Sequence, residues 1–153
     1  MLTTQTQPSL INPAVRLDTA GKHRIELRFK HLVTQIFFLG LDKSLLDGDI
    51  VLRLRLSNSN DHEEWRVPAD MMIHFNTTRG LNDADPLVLF FSDVPHAMFG
   101  PRSSYINLSR IDKLDIEFKL TEPNPMMIET YAHTIRTIGR ENEKYVIKDV
   151  LSF

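Results

Sequence analysis

Ile106-Asn107-Leu108-Ser109-Arg110-Ile111-Asp112 runs directly into Lys113-Leu114-Asp115-Ile116-Glu117-Phe118-Lys119-Leu120. In the second stretch Leu114, Ile116, Phe118 and Leu120 share one parity, and Lys113, Asp115, Glu117 and Lys119 share the other. Alternation of this length marks a β-strand with one buried and one wet face. The first stretch is polar. Its Asn and Ser side chains are suited to bond nearby backbone and shape a turn that enters the strand. Arg110 and Asp112 lie two apart, on one face if the strand begins early, and are expected to form an ion pair or a subunit contact. The competing reading is a solvated turn whose charge pair contributes only about 0–1 kcal/mol.

Working outward, the same period recurs. Ile25, Leu27 and Phe29 alternate with Arg24, Glu26, Arg28 and Lys30, and Ile50 to Leu56 alternates again. Val33 to Leu41 is a continuous apolar run whose β-branched and aromatic content predicts a strand covered on both faces. Leu87 to Phe91 reads as a short buried strand, Met126 to Ile138 as a long one, and Tyr145 to Phe153 as the last, with Tyr145, Ile147, Val150 and Leu151 inward. Trp65 to Phe75 has strand parity but is interrupted by Pro68, which predicts an edge or a bulge. Loops are expected at Ser57–Asp61, Thr77–Pro86 and Ser92–Ser104. Residues 1–22 read as a partly flexible arm and 23–153 as one domain. About eight antiparallel strands and no amphipathic helix predict an all-β sandwich in two sheets, with a jelly roll as the natural candidate; seven strands in immunoglobulin-like order are the alternative, and periodicity alone does not choose between them.

The chain has 153 residues, 42% apolar and 25% charged, with a formal net charge of -2. That is ordinary globular composition, without the global basic field of a nucleic-acid binder. The absence of Cys removes disulfides and thiolate chemistry. No apolar run approaches the roughly 20 residues of a membrane helix, and Met1 to Pro8 lacks the basic start and apolar core of a signal peptide. Asn76-Thr77-Thr78 and Asn107-Leu108-Ser109 match the glycosylation sequon, whose use the missing signal argues against.

The search for catalytic chemistry returns nothing specific. His23, His31, His62, His74, His96 and His133 lack metal-ligand spacing, and His62-Glu63-Glu64 is not a His-Glu-x-x-His site. No Gly-x-Ser-x-Gly elbow or phosphate-cradling loop occurs. Asp83, Asp85 and Asp93 lack the spacing of a calcium loop. His74 and Arg79 are placed to meet a ligand only if the fold brings them together. Arg53, Arg55 and Arg66 form a local basic set, read as a solvated face. The expectation is therefore no catalytic residue, no metal and no cofactor.

The heptad Ile106–Asp112 resembles the Asn-Phe-Ser-Arg-Ile-Asp signature of the major capsid proteins of large nucleocytoplasmic DNA viruses, with Leu108 in place of Phe. Leu27 to Phe38 resembles that family's Phe-Asn-His-Pro-Val-Lys-Glu-Leu-Phe-Trp segment: His31, Val33 and Phe37 match, Leu32 replaces Pro, and Phe38 stands where Trp is common. Phe75-Asn76-Thr77-Thr78-Arg79 resembles an Asn-Gly-x-x-Arg loop, with Thr77 for Gly. Tyr131 to Gly139 resembles the last strand and the Arg-Ile-x-Gly after it, although the charged Arg140 to Lys144 replaces a glycine-rich ending. These matches keep the family's order over residues 23–139.

The resemblance implies the second of two tandem jelly rolls, as in a fragment, a split gene product or a single-jelly-roll relative. It implies a structural capsid subunit of the virion, not an enzyme. Such a subunit assembles in the host cytoplasm, self-associates as a homotrimer and meets other capsid proteins, with no specific nucleic acid and no membrane insertion. Arg110→Ala is expected to impair folding or assembly. Two other classes compete: a carbohydrate-binding β-sandwich, which needs an exposed aromatic platform although Trp65 is the one Trp, and a cupin-like metal enzyme, which needs a His-x-His that the chain lacks.

Overall fold

A computed structural model of the chain describes residues 2–8, 12–56, 60, 62–94, 105–141 and 144–149, with backbone alone at 2–8, 110, 136–141 and 144–149. The described strands are β1 (Leu2–Pro8), β2 (Gly21–Glu26), β3 (Leu32–Leu39), β4 (Leu46–Leu56), β5 (His62–Pro68), β6 (Leu87–Phe90), β7 (Ile106–Asn107), β8 (Ile111–Leu120), β9 (Glu129–Glu141) and β10 (Lys144–Asp149). One helix, α1 (Ala69–Thr78), joins β5 to β6. It is not long and apolar enough to cross a membrane.

The larger sheet has the order β1-β9-β3-β6, with β10 hydrogen-bonded to β9 and the two-residue β7 to β3; the smaller has the order β2-β8-β4-β5. Every pairing is antiparallel. The chain passes between the sheets at β1–β2, β2–β3, β3–β4, β5–β6, β7–β8 and β8–β9, which winds it into a jelly roll. The all-β sandwich expected from alternation is what forms.

The core lies between the sheets. Ile36 and Phe38 of β3, Leu87 and Leu89 of β6, Leu52 and Leu54 of β4, and Leu114, Ile116, Phe118 and Leu120 of β8 belong to one buried cluster. Phe38 and Phe118 meet across it edge to face, ring centroids 5.3 Å apart. Each fully buried side chain of this size contributes roughly 1.5–3 kcal/mol. The parity read in Lys113–Leu120 holds, with one difference: Asp115, on the polar parity, is buried.

Three segments depart from the sequence reading. Leu2–Pro8, expected as arm, pairs with β9 over its whole length. It carries almost no apolar signal, but its threonines favour extended backbone. Residues 12–17 are also fastened. Arg28 N donates to Asn12 Oδ1 at 2.9 Å, Asn12 Nδ2 donates to Thr130, and Val15 bridges Ile128. Second, residues 69–78 are a helix, not strand. Pro68 ends β5 with φ -57 and stands at the N-cap position of the helix, after which Ala69, Met72 and Asn76 are buried at helical spacing. Third, β9 begins at Glu129, because Met126 and Met127 lie in the exposed turn before it. Val150 and Leu151, and most of the expected loops 57–61 and 92–104, lie outside the described residues.

Candidate functional site

The opening heptad folds as expected at its centre. Ile106–Asn107 pair with Leu32 and Val33 of β3, and Leu108–Arg110 make a single 3-10 turn. Asn107 Oδ1 accepts from Ser109 N at 3.1 Å, closing the turn. The turn then docks on His31: Leu108 N donates to His31 O at 2.8 Å, and His31 N donates to Ser109 Oγ at 3.1 Å. His31 is the one described non-glycine residue with positive φ, 70°. The serine meets backbone rather than imidazole, so the pair anchors a corner and does not activate a nucleophile. Asp112 pairs with Arg55 of the neighbouring β4. The Arg110 side chain lies outside the described residues.

Beside this corner β2 and β8 separate. Their ladder ends at Glu26↔Asp115 and a last bond from Leu27 N to Leu114 O, after which residues 27–31 cross to the larger sheet. The fork is a cleft of about 700 Å³, lined by Leu27, Phe29, Leu108, Ile111 and Leu114 with Glu26, Arg28, Lys30, Ser109, Asp112 and Lys113. Arg28 pairs with Glu26 at 3.3 Å. Charges of both signs around apolar side chains suit a peptide-like or amphipathic occupant better than proton transfer.

The segment Phe75–Arg79 proves structural. Asn76, 2% exposed, accepts from Val88 N at 2.9 Å and donates to Val88 O at 2.8 Å, tying α1 to β6. With this amide buried and bonded in both directions to Val88, the sequon is closed to glycosylation in the folded chain. Arg79 donates to Phe75 O at 3.0 Å and Ser92 Oγ at 3.1 Å, pairs with Asp93 and sits 4.2 Å from the Phe90 ring centroid. His74 is exposed on α1, and nothing among the described contacts joins it to Arg79.

The basic set Arg53, Arg55 and Arg66 is neutralised in place. Arg53 reaches Glu117 at 3.3 Å, Glu64 at 3.4 Å and Asp115 at 4.0 Å; Arg66 reaches Glu64 at 2.9 Å; Arg24 reaches Asp115 at 3.5 Å. Cross-strand pairing on the outer face of the smaller sheet thus buries Asp115 beneath two guanidinium groups. The outer face of the larger sheet is different: Phe37, Leu39, Phe90, Tyr131 and Ile135 stand there partly exposed, interrupted by Gln35, His133 and the charged Glu129 opposite Leu39. Tyr131 donates to Glu129 Oε2 at 2.6 Å, and that bond to a carboxylate holds the phenol above the usual tyrosine range.

Among the described residues no three His, Asp or Glu side chains group as metal ligands. Asp85 instead accepts from Asn82 N at 2.8 Å within its own loop, and Trp65 packs against the core rather than forming a platform. His96 lies outside the described residues. The cleft, the buried Asp115 and the polar ties of Asn76 and Asn124 were missed from sequence. Each depends on partners far along the chain, and no local spacing signals it. No protein-family model and no curated protein matches this chain.

Proposed function

We propose that this protein is a structural capsid subunit, built to associate with copies of itself in an icosahedral shell. The observation that carries the reading is the docking of Leu108 and Ser109 on His31. The two stretches that most resemble the large DNA virus capsid family, far apart in sequence, form one corner of a jelly roll. The contrast between the outer faces supports it. The smaller sheet satisfies its charges internally, while the larger presents uncharged, partly exposed Phe37, Leu39, Tyr131 and Ile135. Subunits of a ring meet through unlike patches, and a low-charge face suits such packing. The fold alone does not carry the reading, because jelly rolls serve shells, lectins and metal enzymes alike.

Size-exclusion chromatography with light scattering on the purified chain tests it. A discrete trimer or larger regular assembly that dissociates on dilution is expected. A monomer at every concentration up to about 100 μM defeats the reading, because it leaves self-association weaker than about 5.5 kcal/mol.

A second reading, a carbohydrate-binding β-sandwich, rests on the cleft between residues 26–30 and 108–114. A glycan array without a binder removes it.

A further inference from the structure

Among the described strands, β1 and β6 end the larger sheet, β2 and β5 end the smaller, and β10 adds an outer strand on β9. An outer strand presents a row of unpaired N–H and C=O groups, a template for another chain, and proteins blunt it with charge, proline or shortness. β2 carries Lys22, Arg24 and Glu26; β5 carries Glu63, Glu64 and Arg66; β10 carries Lys144, Lys148 and Asp149; β6 has four residues. β1 carries no charge and is not short, and its one proline, Pro8, stands at its very end. Leu2-Thr3-Thr4-Gln5-Thr6-Gln7-Pro8 is uncharged and stays in continuous register with β9, from Leu2↔Thr137 to Pro8↔Tyr131. Its other edge pairs with no described strand.

We propose that this edge of β1 is a strand-addition site for β1 of a second copy, antiparallel about a two-fold axis at Gln5. The sequence is nearly self-complementary about that residue. Thr4 then stands opposite Thr6, Thr3 opposite Gln7, Leu2 opposite Pro8, and Gln5 opposite its own copy. Hydroxyl meets hydroxyl or amide, apolar meets apolar, and no like charges oppose. Pro8, which lacks an N–H, falls at the end of the ladder, where it costs least. The contact is isologous and closes at two copies, joining the two larger sheets edge to edge. It needs neither the shell reading nor any other interface.

The absence of Cys makes the test clean, because a single introduced thiol meets only its own copy. Gln5→Cys brings two thiols to an antiparallel rung, with Cα atoms about 4.5–5.5 Å apart, inside disulfide range. Thr3→Cys faces Gln7, leaving its two thiols roughly 13 Å apart along the strands. Under copper–phenanthroline at micromolar protein, covalent dimer is expected to form at least tenfold faster in Gln5→Cys than in Thr3→Cys. Equal rates, or no dimer from Gln5→Cys, overturn the proposal. In the Gln5→Cys background, Thr4→Lys with Thr6→Lys sets like charges opposite each other and should suppress the dimer, whereas Thr4→Lys with Thr6→Glu should restore it. If both doubles, each melting like its parent, cross-link alike, the register is wrong and the proposal fails.

Discussion

His31 N donates to Ser109 Oγ at 3.1 Å across 78 residues of sequence, and the residue so held is in the left-handed region at φ 70°. A non-glycine residue there costs roughly 1–2 kcal/mol and persists only where neighbours over-determine it. The neighbours are Ser109 and the amide of Leu108. The corner joining the two sheets is therefore held by the turn of the opening heptad.

Ser109→Ala removes the acceptor while leaving the cost of the positive φ. Stability should fall by about 1–2 kcal/mol, and Tm by roughly 2–8 °C. Wild-type melting of this variant in a calorimeter would show that the corner does not depend on the serine.

Gly40 and Gly80 separate conformation from contact. Both have positive φ, 88° and 83°. A Cβ on Gly40 would stand 2.2 Å from the carbonyl oxygen of Met127, whereas one on Gly80 meets nothing within 4 Å. Gly80→Ala should cost only the conformational penalty, roughly 1–2 kcal/mol. Gly40→Ala should cost more, because the colliding backbone is itself fixed: Asn124 Nδ2 donates to Gly40 O at 2.9 Å and to Met126 O at 2.7 Å. Urea midpoints of the two variants in the reverse order contradict this account.

Asn76→Ala strands both polar groups of Val88 in the interior and should destabilise by about 2–4 kcal/mol. Asn76→Asp keeps the acceptor but turns a carboxylate oxygen toward the Val88 carbonyl. It should be the worse variant at neutral pH and recover as acid protonates it, since a buried carboxyl titrates high. Chemical unfolding at pH 7 and pH 5 checks the crossing.

The Tyr131–Glu129 bond predicts a pH dependence of definite sign. The phenol's folded pKa is raised, first by the hydrogen bond to Glu129, then by burial and the carboxylate's charge. The bond's contribution is complete below the ordinary tyrosine value near 10 and is lost as pH rises through the raised one. A carbon-13 titration of labelled tyrosine should place the Tyr131 midpoint above the ordinary value, and Glu129→Gln should bring it down. An unmoved midpoint in that variant assigns the shift elsewhere.

Local pattern determined the strands whose faces differ in polarity. Lys113–Leu120 alternates because β8 lies central in its sheet with one face on the core, and a period of two is visible without knowing the partner. The same logic missed β1 and α1. Leu2–Pro8 has no apolar face to reveal it, and its place is set by hydrogen bonds to β9. In Trp65–Phe75 the parity of Met71, Ile73 and Phe75 imitated a strand, and Pro68 was read as an interruption when it is a boundary. Only the tertiary structure decided which groups pair. Asp112 chose Arg55 across the ladder, Asp115 was buried beneath Arg24 and Arg53, and Asn76 was spent on Val88. Side-chain periodicity is a property of one strand, whereas pairing belongs to the register between strands, which closes only when distant segments meet.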